Sequence, residues 1–299
     1  MNTAPSISSS LKGIACMIGA GAFLMMNNAV IKLLTATVPV GQILFVRGLF
    51  VSVPIALLAW RAGGIGSLRI QSLSGQAWRA ALTAVSTLLM TNALGQLPLA
   101  DVTAITFAGP LFITCLATWV LGERVGWRRW TAVVVGFTGV ILMTRPTGEA
   151  LRWAIFLPLG VALVGAVRDI ITRRMSVTET SVSMLCYTSI GVALSGLVTW
   201  PFGWTVLETR EVGLLALAAC LLGTAQFLGI ECFRHAEAAV AAPFKYSEIL
   251  WAVVIGALIW GHLPDAWIVA GSALVVGSGL YILRRETRRR RRPYTKGHR

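Results

Sequence analysis

The sequence predicts an all-α integral membrane protein in which ten transmembrane helices form two inverted five-helix repeats. Three observations lead to this prediction. Of the 299 residues, 56% are hydrophobic and 13% are charged, whereas soluble domains contain about 45–50% and about 25%, respectively. Apolar runs of roughly 20 residues, long enough to cross a hydrocarbon core, recur along the chain. Patterns in the first half of the chain return in the second half.

The first predicted span follows Lys12. It is too long for a signal peptide, and Asn27, Asn28 and Lys32 interrupt it. Hydropathy and helix-breaking residues then place nine more spans, joined by short connectors. The ten predicted spans are residues 13–33, 39–60, 77–96, 100–121, 129–145, 152–172, 181–200, 211–233, 238–260 and 265–284.

Basic residues are distributed unevenly between the two sets of connectors. If the N-terminus is cytoplasmic, few basic residues fall outside: Lys32, Arg145, Arg152 and Arg210. Many more fall inside: Lys12, Arg61, Arg69, Arg79, Arg124, Arg128, Arg129, Arg173, Arg174, Arg234 and those of the tail. Because basic residues favour the cytoplasmic side of a membrane, we predict a multi-pass protein of the inner (plasma) membrane with both termini in the cytoplasm.

An internal duplication divides the chain into repeats at residues 11–146 and 152–285. Trp119–Pro146 aligns with Leu258–Arg285, and residues 99–110 align with residues 235–246. An odd number of spans in each repeat inserts the two repeats in opposite senses, an arrangement typical of transporters. Pro110 and Pro243 are predicted to interrupt the fourth and ninth spans, because proline removes a backbone hydrogen bond.

Residues 286–299 form a predicted basic cytoplasmic tail. A basic cluster directly after an apolar run is typical of a segment that contacts anionic lipid; an RNA-binding tail is the alternative, and no nucleic-acid partner is predicted. The five cysteines form no CxxC pair and the sequence has no GxxxxGK motif, which argues against a metal site and a phosphate loop. We predict no catalytic residues, no metal and no cofactor.

Three charged residues approach the predicted middle of the membrane: Arg47, Lys245 and Glu248. Lys245 and Glu248 are three positions apart, on one helix face. They could form an internal ion pair. Alternatively, Glu248 binds a substrate ammonium or a transported proton, and Lys245 or Arg47 binds a substrate carboxylate. A charge at this depth costs about 2.5–3.5 kcal/mol unless it meets a partner or a wet cavity.

Neutral and aromatic side chains complete the predicted substrate-binding set. Tyr246 and Trp251 could form an aromatic wall, or could pack in the core. Asn27, Asn28 and Asn92 supply amides, which in membranes also hold helices together.

Several motifs make the chain similar to a known family. They are FVRG around Arg47, LGE at residues 121–123, RRW…GFTGV in the fifth span and PFKYSEILWAVVIGALIWG in the ninth. Over residues 11–285 the chain resembles the drug/metabolite transporter superfamily, in its ten-span branch with two EamA domains. His262 stands where the second domain usually has a glutamate. The resemblance implies a metabolite carrier, with exporters of aromatic and neutral amino acids as the best comparison.

We therefore expect a secondary transporter that moves small metabolites, foremost amino acids in the direction of export, by alternating access and as a monomer. One alternative is an importer of a cofactor-like solute such as S-adenosylmethionine, riboflavin or a nucleoside. The other is an integral membrane enzyme, which would need a catalytic cluster near one surface; the sequence has scattered charges and a group in the middle of the membrane instead.

Overall fold

The computed structural model describes residues 7–61, 64, 68, 70–120, 127–144, 153–175, 178–235 and 242–291. These residues are mainly helical, and no strand occurs among them. The α-helices are α1 (Ile7–Leu34), α2 (Val40–Arg61), α3 (Leu73–Gln96), α4 (Leu99–Thr106), α5 (Gly109–Val120), α6 (Trp127–Thr144), α7 (Phe156–Met175), α8 (Ser181–Leu197), α9 (Thr209–His235), α10 (Ser247–Trp260) and α11 (Ala266–Arg291).

The prediction of an all-α membrane protein is confirmed. Within the described ranges, six segments are long and apolar enough to cross a membrane: Leu11–Leu34, Leu99–Leu116, Trp153–Thr172, Ser183–Phe202, Thr209–Cys232 and Pro243–Trp260. Shorter apolar stretches lie in α2, α6 and α11. Helix α3 is more polar, and its hydroxyl side chains face an internal cavity described below. The count of ten spans stays a prediction.

Helix pairing follows a pattern in which each contact has a counterpart. Helix α1 packs along α9, and α3 packs along α7; helix α2 packs on α8, and α6 packs on α11. If the first five predicted spans correspond in order to the last five, α1 corresponds to α7 and α3 corresponds to α9, so the α1–α9 pair is the counterpart of the α3–α7 pair. Helix α2 corresponds to α8 and α6 corresponds to α11, so each of these two pairs is its own counterpart. The division into repeats at residues 11–146 and 152–285 stays a prediction.

Glycines allow two of these helix pairs to approach closely. A Cβ atom at Gly139 in α6 would lie 2.6 Å from the carbonyl oxygen of Gly271 in α11. A Cβ atom at Gly196 in α8 would meet the carbonyl oxygen of Gly41 and would lie 2.6 Å from the backbone nitrogen of Phe45 in α2. Real Cβ atoms do not occupy such positions, so both crossings require glycine.

The fourth predicted span is a broken helix. Helix α4 ends at Thr106 and α5 begins at Gly109. The break follows from Pro110, whose ring would clash with the carbonyl of Thr106, four residues earlier, in a continuous helix. The predicted interruption at Pro110 is thus observed, and Leu99–Leu116, the candidate membrane span at this position, consists of two helices.

Two other predicted boundaries are also corrected. Pro243 lies in a short 3₁₀ turn, Ala242–Tyr246, and the α-helix of the ninth span begins only at Ser247. At the C-terminus, helix α11 continues to Arg291, so the first residues of the predicted tail extend the last helix. The rest of the tail, and the start of the ninth span at residues 238–241, lie outside the described residues.

The bundle has two ends with different contents. At the Trp260 end, where α1, α3 and α10 end, a large apolar core lies between the helices; its members include Leu34, Leu97 and Leu99. The Lys32 ammonium donates to the carbonyl oxygens of Leu94 and Leu97, each at 2.6 Å, and lies 5.5 Å from the centre of the Trp260 ring. These contacts close the Trp260 end.

A corner at the Trp260 end joins α2 to the segment before α9. Gln42, the third residue of α2, donates from Nε2 to the carbonyl oxygen of Thr205 at 2.7 Å. The backbone nitrogen of Thr205 donates to Oε1 of Gln42 at 3.1 Å. We call this the Gln42 corner.

The corresponding corner lies at the opposite end, the Glu179 end, where α7 ends and α3 and α8 begin. Oε1 of Glu179 accepts from the backbone nitrogens of Gln71 at 2.9 Å and Ser72 at 2.8 Å. Oε2 accepts from Gln76 at 3.2 Å and from Ser183, the third residue of α8, at 3.3 Å. We call this the Glu179 corner.

Burial by itself raises the pKa of the Glu179 carboxyl. The hydrogen bonds from the backbone amides of Ser72 and Gln71, and those from the side chains of Gln76 and Ser183, outweigh that effect, and the pKa lies below its usual value. The carboxyl group is therefore ionised at neutral pH.

Candidate functional site

A cavity of about 380 Å³ lies in the middle of the bundle. Helices from both predicted repeats supply its walls. The lining residues are Leu24, Met25, Asn27, Asn28, Ile31, Arg47, Gly48, Val51, Thr83, Ser86, Thr87, Met90, Thr91, Leu94, Thr103, Thr106, Val161, Arg168, Ser189, Val192, Leu222, Gln226 and Glu248.

A second cavity, of about 420 Å³, adjoins the first on the side of the Glu179 end. The two share the lining residues Ser86, Thr106, Val161, Arg168 and Glu248, so they are adjoining compartments. The second compartment adds Phe107, Gly109, Pro110, Ile113, Thr114, Ala162, Gly165, Ala166, Asp169, Lys245, Tyr246, Gly279 and Ile282. Clefts of about 300–1,000 Å³ accommodate small molecules in proteins.

Arg47 lies in α2 and lines the central compartment. Its side chain forms no hydrogen bond or ion pair with any described residue. A guanidinium group has five N–H donors, and leaving them unpaired inside a protein is costly. Since the partly exposed side chain faces the cavity, an anionic group bound there would supply the missing acceptors.

Glu248 lies in the first turn of α10 and lines both compartments. It attracts Lys245 electrostatically, but among the described residues the two form no hydrogen bond or ion pair. Gly21 of α1 leaves room for the Glu248 side chain, since a Cβ atom there would lie 3.1 Å from its Cγ. The carboxylate is therefore accessible to a ligand from either compartment.

Four other predicted site residues also line the two compartments. Tyr246 joins Lys245 in the second compartment, with its ring centre 4.9 Å from that of Phe107. Asn27 and Asn28 line the central compartment. The amide orientation that satisfies Asn27 lets its nitrogen donate to the carbonyl oxygen of Ala218 in α9 at 3.0 Å, so this side chain also joins two helices.

Trp251 and Asn92 lie outside both cavity linings. Trp251 packs against the apolar core of the Trp260 end. The Asn92 amide donates to the carbonyl oxygen of Leu88, one turn earlier in its own helix, at 2.8 Å. The structure thus places Arg47, Lys245, Tyr246, Glu248, Asn27 and Asn28 in two adjoining compartments and leaves Trp251 and Asn92 apart.

Sequence reasoning missed one charged residue and a polar stripe. Arg168 of α7 lines both compartments and forms an ion pair with Asp169 at 2.8 Å. Helix α3 contributes residues at helical spacing: Thr83, Ser86, Thr87, Met90, Thr91 and Leu94. The signal was present in the sequence, because hydroxyls three and four apart in a predicted span mark one helix face.

The fold and the cavity define a class: a multi-pass helical membrane protein with a central polar compartment. Comparisons with known proteins make the class more specific. Residues 11–145 match the EamA-like transporter family. A solved crystal structure covers 97% of this chain and 99% of its own, with a TM-score of 0.61 and 19% identity, which shows the shared fold.

Three characterised relatives are transporters. The chain is 28% identical to a riboflavin transporter of Rhizobium johnstonii, over 77% of this chain and 76% of the relative. It is 29% identical to the S-adenosylmethionine uptake transporter of Rickettsia prowazekii, over 64% and 66%. It is 26% identical to the pseudopaline exporter CntI of Pseudomonas aeruginosa, over 83% and 88%.

The resemblance to the drug/metabolite transporter superfamily stated from the sequence is therefore confirmed: residues 11–145 match the EamA-like transporter family, and the relatives are named as transporters. These comparisons point to a transporter of small molecules rather than an enzyme. The named relatives include both uptake and export proteins.

Proposed function

We propose that the protein is a secondary transporter of small zwitterionic metabolites, which cross the inner membrane by alternating access. One observation carries the proposal: an unpartnered guanidinium, Arg47, and a carboxylate without a direct partner, Glu248, line the same compartment. Arg47 binds the substrate carboxylate, and Glu248 binds the substrate cation or a transported proton. The two predicted repeats, residues 11–146 and 152–285, move against each other around this site.

Amino acids, moved in the direction of export, are the first candidate substrates. Their carboxylate and ammonium groups suit Arg47 and Glu248, and the apolar residues of both compartments suit a side chain. The combined size of the two adjoining compartments also suits a larger solute. Import of S-adenosylmethionine is the second candidate, because it carries the same amino-acid group and because a relative takes it up.

Transport by purified protein in liposomes tests the proposal. Labelled leucine, tryptophan and S-adenosylmethionine are offered on either side of the membrane. We expect transport of at least one compound, and loss of most of this transport in Arg47→Gln. The matched control is Arg128→Gln, which removes an exposed arginine at the start of α6. Equal transport by both variants would contradict the role of Arg47.

Coupling is tested with Glu248→Gln. If Glu248 carries the proton, transport by this variant no longer responds to a pH gradient, although it still equilibrates the substrate. An unchanged response to the gradient would rule out proton coupling through this residue.

A further inference from the structure

The hydroxyl groups around the central compartment are not equivalent. Four threonines use their hydroxyl protons on backbone carbonyls of their own helices. In α3, Thr83 donates to Arg79 and Thr87 donates to Thr83, each at 2.8 Å. In α4, Thr103 donates to Leu99 at 2.8 Å, and Thr106 donates to Thr103 at 2.7 Å.

A hydroxyl group has one proton and two acceptor lone pairs. Once the proton is used inside the helix, the group offers a ligand only its lone pairs. Turning the proton toward the cavity would break the existing hydrogen bond. Helices α3 and α4 therefore present hydrogen-bond acceptors to the compartment. We call Thr83, Thr87, Thr103 and Thr106 the acceptor wall.

Charged side chains in the compartment are of both kinds, since Arg47 and Arg168 line it together with Glu248. The carboxylate of Glu248 also accepts only, whereas Arg47 donates only. Ser86 and Ser189 have no side-chain hydrogen bond among the described residues and can either donate or accept. A ligand that fits must offer several N–H donors to the acceptor wall and an acceptor to Arg47.

We propose that the acceptor wall selects substrates with a primary ammonium group and discriminates against their N-methylated forms. A primary ammonium has three N–H donors, and each methyl group removes one. A trimethylated ammonium keeps its charge but has no donor left, so it would leave the threonine lone pairs unpaired. This inference rests on the proposed transport of zwitterions and identifies the chemical group by which they are recognised.

Competition experiments in liposomes test the inference. Uptake of labelled leucine, tryptophan or S-adenosylmethionine is measured against the unlabelled compound and its N-methyl, N,N-dimethyl and N,N,N-trimethyl forms. We expect competition to weaken with each methyl group, with the trimethyl form at least about tenfold weaker, which corresponds to about 1.4 kcal/mol. Equal competition by all four forms would overturn the acceptor wall and leave the proposed transport intact. Transport of none of the three labelled compounds would overturn both.

Variants of Thr87 test whether the acceptor wall causes the preference for a primary ammonium group. Thr87→Val keeps the shape of the side chain and removes the hydroxyl; we expect it to reduce the preference for the primary ammonium. Thr87→Ser, which keeps the hydroxyl, should retain the preference. The control is Thr138→Val, since Thr138 makes the same kind of hydrogen bond, to Val134 at 3.0 Å, on an exposed face of α6. The inference is wrong if Thr87→Val and Thr138→Val prefer the primary ammonium over its N-methylated forms to the same extent.

Discussion

The Trp260 end and the interior toward the Glu179 end are built from corresponding helices but filled differently. At the Trp260 end, apolar side chains occupy the space between helices, and Lys32 joins α1 to the end of α3. On the other side of Glu248 the same bundle encloses the second compartment. The difference indicates that the bundle is filled at one end while its cavity extends toward the other, which is the arrangement that the proposed alternating access requires of a single state.

The two corners also differ, in the chemical group that forms their hydrogen bonds. The Gln42 corner is made by a neutral amide and one backbone segment. The Glu179 corner is made by an ionised carboxylate that accepts four hydrogen bonds. Hydrogen bonds to a charged group contribute about 1.5–3 kcal/mol each, roughly twice the value for neutral pairs. The Glu179 corner is therefore the stronger connection, although the cavity approaches its end of the bundle.

The largest expected effect comes from breaking the close crossing of α2 and α8, which lies beside the Gln42 corner. Gly196→Leu places a side chain against the backbone of Gly41 and Phe45, forcing α2 and α8 apart. Overpacking typically costs about 1–3 kcal/mol, and a clash with backbone should exceed that range. We expect loss of most folded protein, measured by size-exclusion chromatography in detergent. Gly213→Leu is the control, because nothing lies within 4 Å of a Cβ atom there; equal losses would contradict the close crossing.

The next largest effect is expected at the Glu179 corner. Glu179→Ala leaves the amides of Gln71 and Ser72 without their acceptor, and we expect destabilisation of about 3 kcal/mol. Gln42→Ala is the matched variant at the opposite corner and should cost about 1 kcal/mol. Thermal unfolding in detergent measures both. If the two variants unfold at the same temperature, the corners are equally strong and the comparison fails.

Lys32→Met tests the closure of the Trp260 end. Methionine keeps the apolar stem but removes the hydrogen bonds to Leu94 and Leu97 and the cation–π contact with Trp260. We expect a cost of about 1–3 kcal/mol and faster modification of a cysteine introduced at Leu97, which is 4% exposed. The Lys12→Met variant, which changes an exposed lysine at the other end of α1, should leave that labelling rate unchanged.

The smallest expected effect is a pH dependence of stability due to Glu179. Because its pKa is lower in the folded protein than in the unfolded chain, the carboxylate stabilises the protein above the unfolded pKa of about 4.3. That contribution is lost as the pH falls through the lower folded pKa. Unfolding temperatures should therefore fall more steeply below pH 4 in the parent protein than in Glu179→Gln. Parallel pH profiles for the two proteins would refute this assignment.

Sequence reasoning predicted the fold class because it depends on composition and local pattern. The apolar runs, Pro110 at the start of α5 and Pro243 before α10 are properties of short segments, so their positions could be read with small errors. It could also place Arg47 and Glu248 at mid-depth, since depth follows from distance along a helix. It could not separate Tyr246, in the cavity, from Trp251, in the core, because that depends on which neighbouring helix each face meets.

The corners and Arg168 were missed for a related reason. Glu179 precedes a predicted span and looks like an ordinary loop carboxylate; three of its four partners, Gln71, Ser72 and Gln76, are more than 100 positions away in the sequence. Arg168 lies near the charges Asp169 and Arg173 in the sequence, a pattern that is also typical of residues at the membrane surface. The spacing of residues within one segment does not indicate which residues of a distant segment will contact it.

The amino-acid sequence by itself determined that this protein enters a membrane as apolar helices, and that a few charged groups lie within that apolar environment. The tertiary structure alone decided which of those groups share a cavity, which end of the bundle is filled, and which hydroxyl protons are already used. The physical reason is that hydrophobic transfer depends on each segment's own composition. Hydrogen bonding and cavity formation depend on atoms that the folded chain brings together from distant segments.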